Sequence, residues 1–221
     1  MIEFFFDCSS PWTYLAFHNI QPMAAELGVD IAWRPILVGG VFNAVNPTVY
    51  EARDNPVPPK KAYMVKDLAD WARFSGLKII FPPRVFPVNS VKAMRGCLLL
   101  EADGKLVAFA RAAFEAYWSD DEDISQDDVL ARVAMRAGVD PTYLLAGIAV
   151  QSVKDKLRAN TEELIRRGGF GTPTIFVAGT DMYFGNDRLV LVREAVKRAQ
   201  QKRGAGKPWS AAQPFFNVRA T

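Results

Sequence analysis

Strand-forming residues occupy only two short stretches of this chain, one at each end, and neither stretch holds enough strands to make a stable sheet alone. That single fact constrains the fold more than any other. At the start, Ile2–Phe6 is apolar apart from Glu3 and is bounded by the turn residues Asp7-Cys8-Ser9-Ser10, as a short buried strand should be. Pro11 suits the first turn of a helix, where its missing N–H would be unpaired anyway, and Gly28 is a natural stop after Leu27. Val29 to Ile36 predicts a second strand. Val38 to Pro59 is rich in Gly, Asn and Pro and predicts an irregular segment. Six helices are then expected, over Tyr63–Ser75, Asn89–Ala102, Gly104–Trp118, Gln126–Ala137, Pro141–Ala146 and Val150–Arg167. Near the end, Thr174–Ala178 and Met182–Phe184 flank the turn Gly179-Thr180-Asp181 and predict a hairpin. Asn186 or Asp187 would cap a last helix reaching about Lys202.

The order is β-α-β, a helical block, then β-β-α, so the two ends must pair into one sheet. The organisation expected is a discontinuous α/β domain made of residues 1–37 and 168–203. An all-helical insert occupies residues 38–167, and residues 204–221 form a C-terminal extension.

Composition removes several function classes. Half of the 221 residues are hydrophobic, enough for a sizeable core, and the net charge is only +3 with basic and acidic residues interspersed. No basic stripe speaks for nucleic acid. The N-terminal apolar run is broken by Asp7 and lacks a basic leader, which is neither a signal peptide nor a membrane span. Cys8 and Cys97 make no Cys-x-x-Cys pair and no zinc spacing, and His18 is the only histidine, so no metal site is expected. The compartment expected from this cysteine usage is the cytoplasm. The run Asp120–Asp123 reads as a solvated connection between helices rather than a metal site.

Four places carry chemistry, each with a plainer alternative. Ser10 stands at a helix N-terminus, where unpaired N–H groups and the positive dipole end favour an anion. It can donate to a thiolate supplied by a ligand or merely cap the helix, and no adjacent base makes it a nucleophile. Thr172-Pro173 begins a strand. A trans bond would make it an edge device, whereas a cis bond would leave the Thr172 backbone open to an extended peptide ligand. Asn186 and Asp187 can cap the last helix or bind the carboxylate and ammonium of an α-amino acid. Lys60, delivered by the proline-rich loop that begins at Asn55, can meet an anion or face solvent.

The stretches FDxxSPWTYLAF, PPKKAYMVKDLADWA, FPVNSVKAMRG and GGFGTPTIFVAGTDMYFGNDRL together resemble the 2-hydroxychromene-2-carboxylate isomerases. They are also similar to the related kappa-class glutathione transferases, within the DsbA-like thioredoxin superfamily. The likeness runs from Phe4 to about Arg193. It implies a thioredoxin-like α/β fold with a helical insert, glutathione as cofactor and a homodimer. It further implies that Ser10 contacts the glutathione sulfur and that Asn55 and Lys60 lie near its glycine end. Thr172, before a cis Pro173, would pair with the cysteinyl part, and Asn186 and Asp187 would hold the γ-glutamyl end. The implied reaction is cis–trans isomerisation of an aromatic carboxylate by reversible thiolate addition, with Arg84 and Asn89 as candidates to bind the substrate acid. Two alternatives share these residues: a kappa-like transferase that conjugates electrophiles, and a non-catalytic thiol- or peptide-binding module.

Overall fold

The computed structural model describes residues 1–204, so the C-terminal extension expected from Gly204 onward lies outside the described residues apart from Gly204 itself, which closes the last helix. The strands β1 (Ile2–Phe6), β2 (Ile31–Pro35), β3 (Thr174–Val177) and β4 (Asp181–Phe184) form one sheet in the order β2-β1-β3-β4. β1 runs parallel to β2 and antiparallel to β3, and β3 pairs with β4 as a hairpin. The two ends of the sequence thus meet along β1 and β3, with Phe4 facing Trp33 on one side and Ile175 on the other.

A strand covered on both faces has no reason to alternate apolar and polar residues, which is why β1 reads as nearly continuous phenylalanine. Ile2, Phe4 and Phe6 join the larger core with Phe17 of α1 (Pro11–Leu27) and Phe114. Phe5 points the other way, into a smaller cluster with Ile36, Val41, Leu164 and Phe176. Helix α1 begins with Pro11 at its first position and stops at Gly28, whose φ of 63° is the left-handed conformation that glycine adopts at least cost.

Between β2 and β3 the chain is helical: α2 (Val38–Val45), α3 (Thr48–Asp54), α4 (Pro58–Phe74), α5 (Val91–Leu99), α6 (Leu106–Phe114), α7 (Asp127–Arg136), α8 (Pro141–Gly147) and α9 (Gln151–Arg166). A π-helical turn, Glu115–Ser119, follows α6, and a 3-10 turn, Asn186–Arg188, precedes α10 (Leu189–Gly204). The irregular segment expected over Val38–Pro59 is instead two helices. The glycines of Val38-Gly-Gly-Val-Phe lower intrinsic helix propensity, but Val38 and Val41 bury one face of α2 beneath the sheet, and burial outweighs propensity. The start of α2 is also satisfied from a distance: Val38 N–H donates to Asp7 Oδ2 at 2.9 Å and Leu37 N–H to Thr161 Oγ1 at 3.1 Å. No short-range sequence signal reports either bond. The run Asp120–Asp123 connects helices with its carboxylates engaged, Asp120 by Arg136, Asp121 by Arg84 and Glu122 by Arg132. No described helix is long and apolar enough to cross a membrane.

Candidate active site

The loop from Asp7 to Ser10 joins β1 to α1 and is held on every side. Asp7 is buried, and its Oδ1 accepts the Ser9 N–H at 2.9 Å while Oδ2 accepts the Val38 N–H. Burial pushes the Asp7 carboxyl above its ordinary value, against the lowering effect of the Ser9 and Val38 N–H groups and the Ser90 hydroxyl. The Trp118 indole N–H, on the π-helical turn, donates to the Cys8 carbonyl at 2.9 Å. Cys8 itself is fully buried, and desolvation together with the neighbouring Cys97 thiol raises its pKa well above the usual thiol value. It is a neutral packing residue.

This frame fixes Ser10 as the N-cap of α1. Its Oγ accepts the Thr13 N–H at 3.2 Å, so the hydroxyl hydrogen remains available to donate outward. The Thr13 hydroxyl donates to the Thr172 hydroxyl at 3.0 Å, a buried bond across 159 residues of sequence. Ser10 and Thr172 are thereby brought to one place, which neither local sequence can dictate. The Thr172–Pro173 bond is cis, and neither the N–H nor the C=O of Thr172 has a partner among the described residues. Pro173 C=O accepts the Gly185 N–H at 3.1 Å, tying in the segment that leads to Asn186.

Asn186 and Asp187 do not cap as expected. No backbone N–H bonds either side chain among the described residues, because Asn186 turns inward, only 4% exposed, and Asp187 pairs with Arg188. Asn186 Oδ1 accepts from Asn19 Nδ2 at 3.0 Å, and that same Asn19 amide reaches Ser75 Oγ at 3.0 Å after α4. Asn186 Nδ2 is buried without a partner. Gly185 precedes them at φ 101°, where a Cβ would lie 2.7 Å from Asp187 Oδ1. Only glycine fits there.

The insert-side residues sit differently. Asn55 ends α3 and Lys60 is the third residue of α4, both exposed, and α4 packs on α1. Lys60 meets no acid among the described residues. Of the two residues suggested for a substrate acid, Arg84 is committed: its Nε and N–H donate to the Asp121 carboxylate at 3.0 and 2.8 Å, and its guanidinium also reaches the Asp121 carbonyl. An arginine already neutralised in this way does not offer a free charge. Asn89 Oδ1 accepts the Val91 N–H at 3.1 Å, a turn-forming bond at the start of α5.

Sequence inspection passed over Arg53. It stands in the last turn of α3, with its guanidinium carbon 5.6 Å from the Phe42 ring centre, 6.0 Å from Tyr50 and 5.7 Å from Phe86. A Tyr50–Arg53 pair at i,i+3 would have signalled this had the segment been read as helical.

Comparison with known proteins agrees with this architecture. The family profile "DSBA-like thioredoxin domain" matches residues 1–197. The 2-hydroxychromene-2-carboxylate isomerase of Pseudomonas putida is 28% identical over 198 residues, covering 90% of this chain and 95% of its own. Human glutathione S-transferase kappa 1 is 30% identical over 207 residues, covering 86% and 88%. A solved structure of 2-hydroxychromene-2-carboxylate isomerase superposes with a TM-score of 0.77 at 25% identity, covering 94% of this chain and 99% of that one. A fold of four strands interrupted by helices, and a profile that spans nearly all of it, make this chain a member of the DSBA-like thioredoxin family, with isomerases and kappa-class transferases among its relatives.

Proposed function

We propose that the protein is a glutathione-dependent isomerase of an aromatic carboxylate, 2-hydroxychromene-2-carboxylate, which it converts to trans-o-hydroxybenzylidenepyruvate. One observation carries the proposal: Ser10 caps α1 with its Oγ accepting the Thr13 N–H, which leaves its own hydrogen available to donate to an external acceptor. The likeness to named isomerases over nearly the full chain supports the same reading.

The residues suit glutathione. The unpartnered Thr172 backbone offers one N–H and one C=O, the pairing an extended peptide needs, and Asn186 leaves a buried Nδ2 without a partner. Asn186 reaches α1 at Asn19, nine residues past Ser10 or about 13 Å along the axis, comparable to an extended tripeptide of about 10 Å. The hemiketal ring of the chromene opens first, its C2–O bond breaking to give a ketone and a phenol. Bound glutathione would then supply a thiolate whose reversible addition to the resulting enone makes the double bond single and permits rotation, and whose elimination restores both thiolate and double bond. The chain's own work is electrostatic. Ser10 donates to the sulfur anion, and the N-terminus of α1 adds its unpaired N–H groups and dipole. The loop held by Asp7 and Trp118 keeps those donors aimed before any ligand arrives. Lys60 is assigned to the glycine carboxylate with Asn55, and Asp187 to the γ-glutamyl ammonium, which would displace its exposed and therefore weak ion pair with Arg188.

A kappa-like transferase remains the second reading, favoured by the 30% identity to the human kappa enzyme. Progress curves with the chromene acid and glutathione far below it separate the two. Full conversion with constant free thiol is expected. Conversion that stops when the thiol is consumed would replace isomerisation by conjugation. In the same assay Lys60→Gln should raise the half-saturating glutathione severalfold and leave kcat unchanged, since an exposed charge aids binding more than chemistry.

A further inference from the structure

We infer that Arg53 is the group that receives the substrate's carboxylate, with the rings of Phe42, Tyr50 and Phe86 receiving its aromatic body. This rests on the function proposed above, for which it names a binding residue.

The guanidinium lies within about 6 Å of three ring centres, the range in which a cation is held by ring faces. Contacts with ring electrons consume none of the guanidinium N–H donors, so its N–H edge stays available. Among the described residues that edge meets no carboxylate and no carbonyl, unlike Arg84, whose Nε and one terminal nitrogen are directed at Asp121. Arg53 is therefore a positioned, unneutralised fork of donors, which matches the two oxygens of a carboxylate. Tyr50 is pinned in turn by its hydroxyl, which donates to Asn43 Oδ1 at 2.8 Å.

The cluster also borders both halves of the candidate active site. A Cβ on Gly171, the residue before Thr172, would lie 3.5 Å from the Phe42 ring, and Asn46 after α2 donates to the Phe170 carbonyl at 3.1 Å. On the other side, Phe86 meets Trp118 edge to face, and the Trp118 indole donates to the Cys8 carbonyl beside Ser10. A small planar acid lying on these rings, with its carboxylate on Arg53, is thus next to the loops that carry Ser10 and Thr172. Phe86 and Tyr50 are partly exposed, as the walls of an open acceptor for a small molecule must be.

The test uses full-length protein without glutathione, so it does not depend on turnover. Calorimetric titration with trans-cinnamate and with the neutral trans-cinnamide should show the acid bound about tenfold tighter by the wild type. Arg53→Gln should bind both at the amide's affinity, and Arg53→Lys, which keeps the charge but loses the fork, should retain part of the preference. A merely structural arginine would shift the melting temperature without altering the acid-to-amide ratio. Equal binding by the wild type, or a preference that survives Arg53→Gln, overturns the assignment. Chromene turnover that proves independent of glutathione would instead defeat the proposed reaction while leaving the acid preference intact.

Discussion

Ser10→Ala is expected to lower kcat/KM for the chromene acid by about 10- to 100-fold at fixed glutathione, the effect of losing one charge-assisted hydrogen bond to a thiolate. Because Ser10 also caps α1 through the Thr13 N–H, alanine should cost about 1 kcal/mol of stability as well. Ser10→Gly separates the two roles. Glycine caps within a few tenths of a kcal/mol of serine, so its melting temperature should stay close to that of the wild type while its activity falls with that of alanine. The thiol pKa of bound glutathione, followed by thiolate absorbance, should rise in both variants. Full activity in Ser10→Gly would mean that the hydroxyl serves only the helix, and the reaction would need another anion-stabilising group.

The largest stability effect is expected at Asp7. Asp7→Ala removes the acceptor of two N–H groups, Ser9 and Val38, both in buried or half-buried surroundings. Each orphaned donor costs about 1–3 kcal/mol, or about 2–6 kcal/mol together. For a domain of this size that corresponds to a melting temperature lower by about 4–24 °C. The loss should be felt at both ends of the bond, since α2 carries Phe42 and the loop carries Ser10. The pH dependence follows from the direction of the shift. Burial raises the folded-state pKa above the ordinary 3.8, so the folded chain holds this proton more tightly than the unfolded chain. The stabilisation that this titration contributes is full below the ordinary value and fades as pH rises through the raised one. Urea unfolding across the acid range should therefore show the advantage of wild type over Asp7→Asn greatest at low pH and shrinking toward neutrality. A difference that grows with pH would mean the two N–H groups, rather than burial, dominate the carboxylate.

Much of the frame was legible because it depends on local rules. Pro11 and Gly28 mark the ends of α1, the phenylalanine run marks β1, and Gly179-Thr180 falls in the β3–β4 turn, each through backbone constraints that act over a few residues. Asp181, expected in that turn, is instead the first residue of β4. The segment Val38–Pro59 was misread for the opposite reason. Its glycines and prolines speak against helix locally, and what makes α2 a helix is a buried valine face and an Asp7 carboxylate from 31 residues earlier. The same error hid Arg53, since an arginine at the end of an irregular loop gives no hint of three rings around it. Asn186 and Asp187 were placed correctly in sequence at the start of the last helix. A 3-10 turn, however, takes the capping position and turns Asn186 inward to Asn19.

By itself, the sequence determined the alternation of elements, the need for its two ends to share a sheet, and a helix N-terminus that carries the Ser10 hydroxyl. Those follow from periodicity, turn chemistry and residue identity, which are properties of neighbours along the chain. Tertiary structure alone decided that the Thr13 and Thr172 hydroxyls meet, that Asp121 occupies Arg84 and that Arg53 keeps its donors free. Each of these is a contact between residues tens of positions apart or more, or the absence of one, and only packing the helices on the sheet sets which side chains find partners.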